Sequence, residues 1–70
     1  MLTVREYDAL ERAILMGTRI AFRRAGSEFL IVPERLQVVH GREVIHSRHP
    51  STGHQFEVFV DEIEHMEIVR

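Results

Sequence analysis

The stretch Phe56-Glu57-Val58-Phe59-Val60-Asp61-Glu62-Ile63 carries the pattern that decides the fold of this chain. Its apolar side chains recur at every second position from Phe56 to Val60, which predicts a central β-strand. Asp61 and Glu62 interrupt the apolar run and predict where that strand stops. Ile63 then returns to the core, and the short apolar segment from Met66 to Val69 predicts a last strand that closes a barrel.

Upstream of this stretch the apolar residues also alternate, and turn residues separate the short runs. Ile20 and Phe22 alternate with Arg19, Ala21 and Arg23, so the segment from Thr18 predicts a strand with one face solvated by guanidinium groups. Further strands are predicted at 29–32, 36–39 and 43–49. The turns predicted between them are Ala25-Gly26-Ser27, His40-Gly41-Arg42 and Pro50-Ser51-Thr52-Gly53, and Pro33 is predicted at a strand end or bulge.

The N-terminal segment predicts a helix over residues 4–16. Thr3-Val4-Arg5-Glu6 has the form of a capping box, and Gly17 stands where a left-handed residue ends a helix. A stripe at helical spacing predicts one buried face, made of Val4, Tyr7, Leu10, Ala13 and Ile14.

One helix followed by short antiparallel strands predicts a mainly β fold. About 50 residues of strand cannot fill both sheets of a sandwich, so we expect a small, partly open, five- to six-stranded barrel of the SH3/Sm-like kind. The helix would cap one open end. Residues 1–70 would form a single domain.

Composition narrows the function classes. The chain has no cysteine, which excludes disulfides and thiolate zinc sites and fits a cytoplasmic protein. No apolar stretch is long enough to span a membrane, so we expect no membrane association. Five histidines invite a metal interpretation, but their spacing offers at most two convergent ligands, so we expect no metal and no cofactor.

Charge is distributed unevenly along the chain. Residues 19–54 carry six arginines and three glutamates, whereas residues 55–70 carry one arginine and five acidic residues. No nucleophile elbow or phosphate-binding glycine loop occurs, and so short a chain has little volume for a pocket, so an enzyme is not expected. The remaining functions are binding functions.

The chain resembles Rof, a family of small bacterial modulators of Rho-dependent transcription termination, in three places. These are the helix sequence Tyr7-Asp8-x-Leu10-Glu11-x-Ala13, the alternating strand after it and the closing sequence Val60-Asp61-Glu62-Ile63. The resemblance implies an Sm-like barrel with an N-terminal helix. It also implies an acidic surface that binds the RNA-binding part of Rho and keeps RNA out. On this resemblance, Asp8 and Glu11 are candidate contact residues.

A second resemblance is to the WYL domain, a small SH3/Sm-like barrel of bacterial regulators. The spacing of residues in this chain is similar to that of the WYL domain at Val32-Pro33-x-x-Leu36, at Gly41 and at Phe56-x-x-Phe59-x-x-x-Ile63. The chain departs from that family in having Glu43-Val44-Ile45 at the Trp-Tyr-Leu signature. The resemblance implies ligand or nucleic-acid sensing.

Two functional hypotheses follow. The first is a non-enzymatic regulator or adaptor whose acidic residues Asp8, Glu11, Glu57 and Glu62 bind a basic protein surface, such as that of Rho. The alternative is RNA or DNA binding through the arginine-bearing strand, with Arg19, Arg23, Arg24 and Arg48 as contacts. An exposed edge strand would also allow self-association.

Overall fold

The computed structural model describes residues 1–69, which form one α-helix and five β-strands. All neighbouring strands are antiparallel and lie in the order β4-β3-β2-β1-β5. The predicted mainly β fold with one N-terminal helix, a small and partly open barrel, is therefore confirmed. The elements are α1 Val4–Met16, β1 Arg19–Arg24, β2 Ser27–Val39, β3 Arg42–Arg48, β4 Gln55–Phe59, a 3-10 helix Val60–Glu62, and β5 His65–Val69.

Both ends of α1 are formed by the residues that the sequence predicts. The Thr3 hydroxyl accepts a hydrogen bond from the Glu6 amide at 3.1 Å, and the Glu6 carboxylate accepts one from the Thr3 amide at 2.9 Å. Gly17 adopts a left-handed conformation with φ of 68°, and its amide donates to the Ala13 carbonyl. Because glycine has no Cβ, it takes this φ without steric cost and ends the helix.

The buried face of α1 is narrower than the sequence predicts. Leu10 and Ala13 are fully buried, and Tyr7 and Ile14 pack against the core from its margin. Val4 is 79% exposed, so its assignment to the buried stripe is wrong. A helix turns by about 100° per residue, which places Val4 about 120° away from Leu10 around the axis.

Two polar contacts fasten α1 to the barrel. The second carboxylate oxygen of Glu6 accepts a hydrogen bond from the Met66 amide of β5 at 3.1 Å. The Tyr7 hydroxyl donates to the Glu43 carboxylate on β3. Hydrogen bonds from the Thr3 and Met66 amides lower the pKa of Glu6, and the bond to Glu43 raises the pKa of Tyr7.

The long strand β2 gives the sheet its curvature. Its first half pairs with β1, as in Ile20 opposite Ile31, and its second half pairs with β3, as in Leu36 opposite Ile45. The register shifts between Pro33 and Arg35, so the predicted bulge at Pro33 is confirmed. The predicted separation into two strands at this proline is wrong, because the bulge bends the strand without ending it.

The strand β4 occupies an edge of the sheet rather than its centre. Among the described residues it pairs only with β3, so the prediction of a central strand is wrong. Alternating apolar residues report that one face of a strand is buried, and Val58 is fully buried. They do not report how many neighbours the strand has.

The core lies between the curved sheet and α1. Its main contributors come from every element, including the 3-10 helix and the residue after it: Leu10, Ile20, Phe22, Ile31, Ile45, Val58, Val60, Ile63 and Met66. The predicted return of Ile63 to the core is confirmed. None of the helices within residues 1–69 has the length and apolar character needed to cross a membrane.

Leu10→Ala should lower the free energy of unfolding by about 2–4 kcal/mol, because it removes a fully buried side chain from the helix–barrel contact. The matched control is Leu15→Ala on the same helix, where the leucine is 85% exposed. Chemical denaturation should show the loss for the first variant only. Equal small losses in both variants would show that α1 is not docked.

Glu6→Gln should cost about 1 kcal/mol at pH 7, because an amide side chain has one acceptor oxygen for two backbone donors. The folded state lowers the pKa of Glu6, so this stability is fully present above the ordinary carboxyl pKa. It is lost as the pH falls through the folded-state value. The difference between wild type and variant should therefore shrink below about pH 4.

Urea unfolding at a series of pH values measures this difference, with Glu11→Gln on the exposed face of α1 as the control. A difference that stays constant down to pH 3 would contradict the role given to the Glu6 carboxylate.

Candidate functional site

The predicted contact residues Asp8 and Glu11 lie on the exposed face of α1. The nearest apolar side chains along the same face are Val4 and Leu15, which are 79% and 85% exposed. Neither carboxylate forms a side-chain hydrogen bond or an ion pair with another described residue. Their charge is therefore available to a partner.

Glu57 and Glu62, the other two acidic candidates, already have partners. Glu57 lies 2.9 Å from the ring of His46 on the neighbouring strand β3. Glu62 lies between two guanidinium groups, 3.7 Å from Arg42 and 3.8 Å from Arg24. The structure therefore does not bring the four acidic candidates into one free acidic surface.

Arg42, which sequence reasoning did not single out, organises the end of the β2–β3 hairpin. It donates two hydrogen bonds to the Asp61 carboxylate, at 2.7 and 2.9 Å, and its guanidinium lies 3.7 Å from the centre of the Phe59 ring. These bonds lower the pKa of Asp61. The only signal in the sequence was its position in the turn at Gly41, which does not predict a partner nineteen residues away.

Three of the four arginine candidates are engaged with carboxylates. Arg23 pairs with Glu28 across β1 and β2 at 3.5 Å, and Arg48 pairs with Glu34 at 3.2 Å. Arg24 forms the pair with Glu62 described above. Arg19, at the start of β1, forms no ion pair with the described residues.

Arg24 does not belong to the solvated row of β1. Alternation along the strand places it on the same side as the buried Ile20 and Phe22. Its guanidinium lies 4.7 Å from the ring centre of Phe29 and 5.6 Å from that of Phe56. The guanidinium of Arg24 therefore covers aromatic rings and pairs with Glu62, and its contact with nucleic acid stays a prediction.

The two edges of the sheet differ. The outer side of β4 has no strand beside it among the described residues. The outer side of β5 faces α1, and there the Glu6 carboxylate accepts a hydrogen bond from the Met66 amide. Side-chain capping of this kind blocks one position for an added strand. Self-association through an edge strand stays a prediction.

The histidines do not form a ligand cluster. No group of three histidine, aspartate or glutamate side chains within residues 1–69 is placed to hold a metal ion. The His49 ring instead accepts hydrogen bonds from the Ser51 and Thr52 amides in the turn before β4. His46 contacts Gln37 at 2.7 Å as well as Glu57, and so links β2 to β4 across β3.

A scan against models of known protein families finds no match, and a search of curated proteins finds no relative. The resemblances to Rof and to the WYL domain therefore stay hypotheses that rest on the residues quoted for them.

Arg24→Ala should lower the free energy of unfolding by about 0.5–2 kcal/mol, because it uncovers the Phe29 and Phe56 rings. Arg23→Ala is the matched control on the solvated side of the same strand, and exposed ion pairs contribute little, so its effect should be below about 0.5 kcal/mol. Thermal and urea unfolding would check both variants. An Arg24 variant as stable as the Arg23 variant would contradict the structural role.

Proposed function

We propose that this chain is a non-enzymatic regulator or adaptor that binds a basic surface of another protein through the exposed face of α1. The observation that carries the proposal is the contrast between its charges. Asp8 and Glu11 are exposed without an ion partner among the described residues, whereas three of the four arginine candidates, Arg23, Arg24 and Arg48, are paired and Arg19 is not. Unpaired surface carboxylates attract basic partners and speed their association.

Direct nucleic-acid binding has weaker support. Such binding needs a positive field, and the chain has a formal charge of −2. It also gains from exposed aromatic rings on which bases stack. Phe22 is buried, Phe29 and Phe56 are covered by Arg24, and Phe59 is covered by Arg42.

The partner that we propose is Rho or a similar RNA-binding protein. This choice rests on the resemblance of the α1 sequence to Rof and on the charge of the surface. A protein that binds RNA phosphates offers a basic surface, and carboxylates placed on it compete with RNA for the same arginine and lysine side chains. The chain would then act as a Rof-like modulator of Rho-dependent termination.

The test measures binding of purified Rho to the immobilised protein. Asp8→Asn combined with Glu11→Gln should weaken binding by about tenfold, mostly through slower association, because long-range attraction is lost. The matched control is Glu28→Gln combined with Glu67→Gln, which makes the same change of net charge on the strands. Circular dichroism should show that both double variants stay folded.

The same protein is then offered single-stranded RNA near physiological salt. Absence of Rho binding would remove Rho as the partner. Tight RNA binding that is lost in a combined Arg19→Ala, Arg23→Ala and Arg48→Ala variant, and is indifferent to the change of Asp8 and Glu11, would establish the alternative function. Arg24 is left unchanged because its loss would disturb the core.

A further inference from the structure

The exposed face of α1 carries a regular row of four residues. Val4, Asp8, Glu11 and Leu15 follow one another at spacings of four, three and four residues, so they lie one above another along the helix. This spacing is that of the a and d positions along a coiled-coil seam. We call these four residues the exposed seam.

The two ends of the exposed seam are apolar and strongly exposed. Val4 is 79% exposed and Leu15 is 85% exposed, and they lie about 16 Å apart at 1.5 Å per residue. A single exposed aliphatic side chain on a surface is ordinary. Here two exposed aliphatic side chains lie on either side of two carboxylates along the helix. Their spacing fits a second helix that lies along α1.

We infer that the exposed seam docks an amphipathic helix of a partner protein, with apolar side chains at its outer two seam positions and arginine or lysine at its inner two. The partner's apolar groups contact Val4 and Leu15, while its cations bind Asp8 and Glu11. This inference rests on the proposed function and names the kind of surface that α1 binds.

The shape of the surface agrees with a helical partner. A shallow concavity of about 460 Å³ lies along the seam and is lined by Asp8, Glu11, Arg12, Ile14 and Leu15. The half-buried Ile14 supplies an apolar floor at its edge. A side chain of the partner helix fits a depression between seam residues in the way that knobs fit holes.

Charge excludes a second copy of this chain as the occupant. Two antiparallel seams would place Asp8 of one copy beside Glu11 of the other, and like charges at such positions repel. Nucleic acid is disfavoured for the same reason, because its phosphates would face two carboxylates. The complementary occupant is a helix that carries positive charge.

The probes for the test are two synthetic helical peptides of identical composition. The first carries Leu, Arg, Arg and Leu at spacings of four, three and four in an Ala/Gln background. The second distributes the same four residues around the helix. Each peptide is titrated with the full-length chain at low salt, and binding is followed by the fluorescence anisotropy of the peptide. The first peptide should bind at least about tenfold more tightly than the second.

Variants of the chain separate the two parts of the seam. Val4→Gln combined with Leu15→Gln should reduce binding of the first peptide to the level of the second and leave the salt dependence unchanged. Asp8→Asn combined with Glu11→Gln should reduce both affinity and salt dependence. The apolar control is Val38→Thr, which changes a valine that is 64% exposed on β2, and the charge control is Glu28→Gln with Glu67→Gln.

Three results would overturn the inference that the exposed seam docks a helix. They are equal binding of the two peptides, no binding of either peptide, and an affinity for the first peptide that does not change in the Val4 and Leu15 variant. The proposed function is judged separately with Rho. Rho binding that depends on Asp8 and Glu11 but not on Val4 and Leu15 would leave the proposed function standing and refute the seam. Discrimination between the peptides without Rho binding would support the seam and remove Rho as the partner.

Discussion

The Glu6 carboxylate is the contact on which the arrangement of helix and barrel depends. One of its oxygens accepts the Thr3 amide and begins α1, and the other accepts the Met66 amide at the outer edge of β5. The Thr3 amide is exposed, whereas the Met66 amide is partly buried, and an unpaired buried donor costs about 1–3 kcal/mol. A single side chain therefore satisfies a helix end and a sheet edge, and in doing so sets the orientation of the helix.

This orientation decides which residues of α1 face outward. The contact at Glu6, the bond from Tyr7 to Glu43 and the burial of Leu10 and Ala13 all lie on one side of the helix. The opposite side is left with Asp8 and Glu11 at its centre. The availability of these carboxylates is thus a consequence of how the N-terminus of the helix is anchored.

Local features of the fold could be read from the sequence because they depend on neighbouring residues. The capping box at Thr3, the helix end at Gly17 and the bulge at Pro33 each involve atoms within a few residues of one another. The edge position of β4 and the continuity of β2 depend on pairing between distant segments. Period-two alternation is the same in an edge strand and in a central strand, so it carries no information on that pairing.

The candidate site shows the same division. The exposure of Asp8 and Glu11 follows from helical spacing and could be predicted. The prediction that Val4 is buried was wrong. Residues three apart in the chain lie about 60° apart around the helix, so Val4, six residues before Leu10, lies about 120° away from it. The role of Arg24 was missed because it depends on rings of β2 and β4 that only the folded sheet brings beneath it.

The arginines on the barrel explain why the acidic run Asp61-Glu62 offers little free charge to a partner, in a chain whose formal charge is −2. On the barrel, guanidinium groups are used internally: Arg42 holds Asp61 and covers Phe59, and Arg24 covers two rings beside Glu62. Guanidinium suits this role because its flat, weakly hydrated plane stacks on aromatic faces while its edge binds carboxylates. The barrel therefore neutralises Asp61 and Glu62 of its acidic closing segment. The carboxylates of Asp8 and Glu11 on the outer face of α1 lie beyond the reach of those arginines, so they stay available for recognition beside the exposed Arg5 and Arg12 of the same helix.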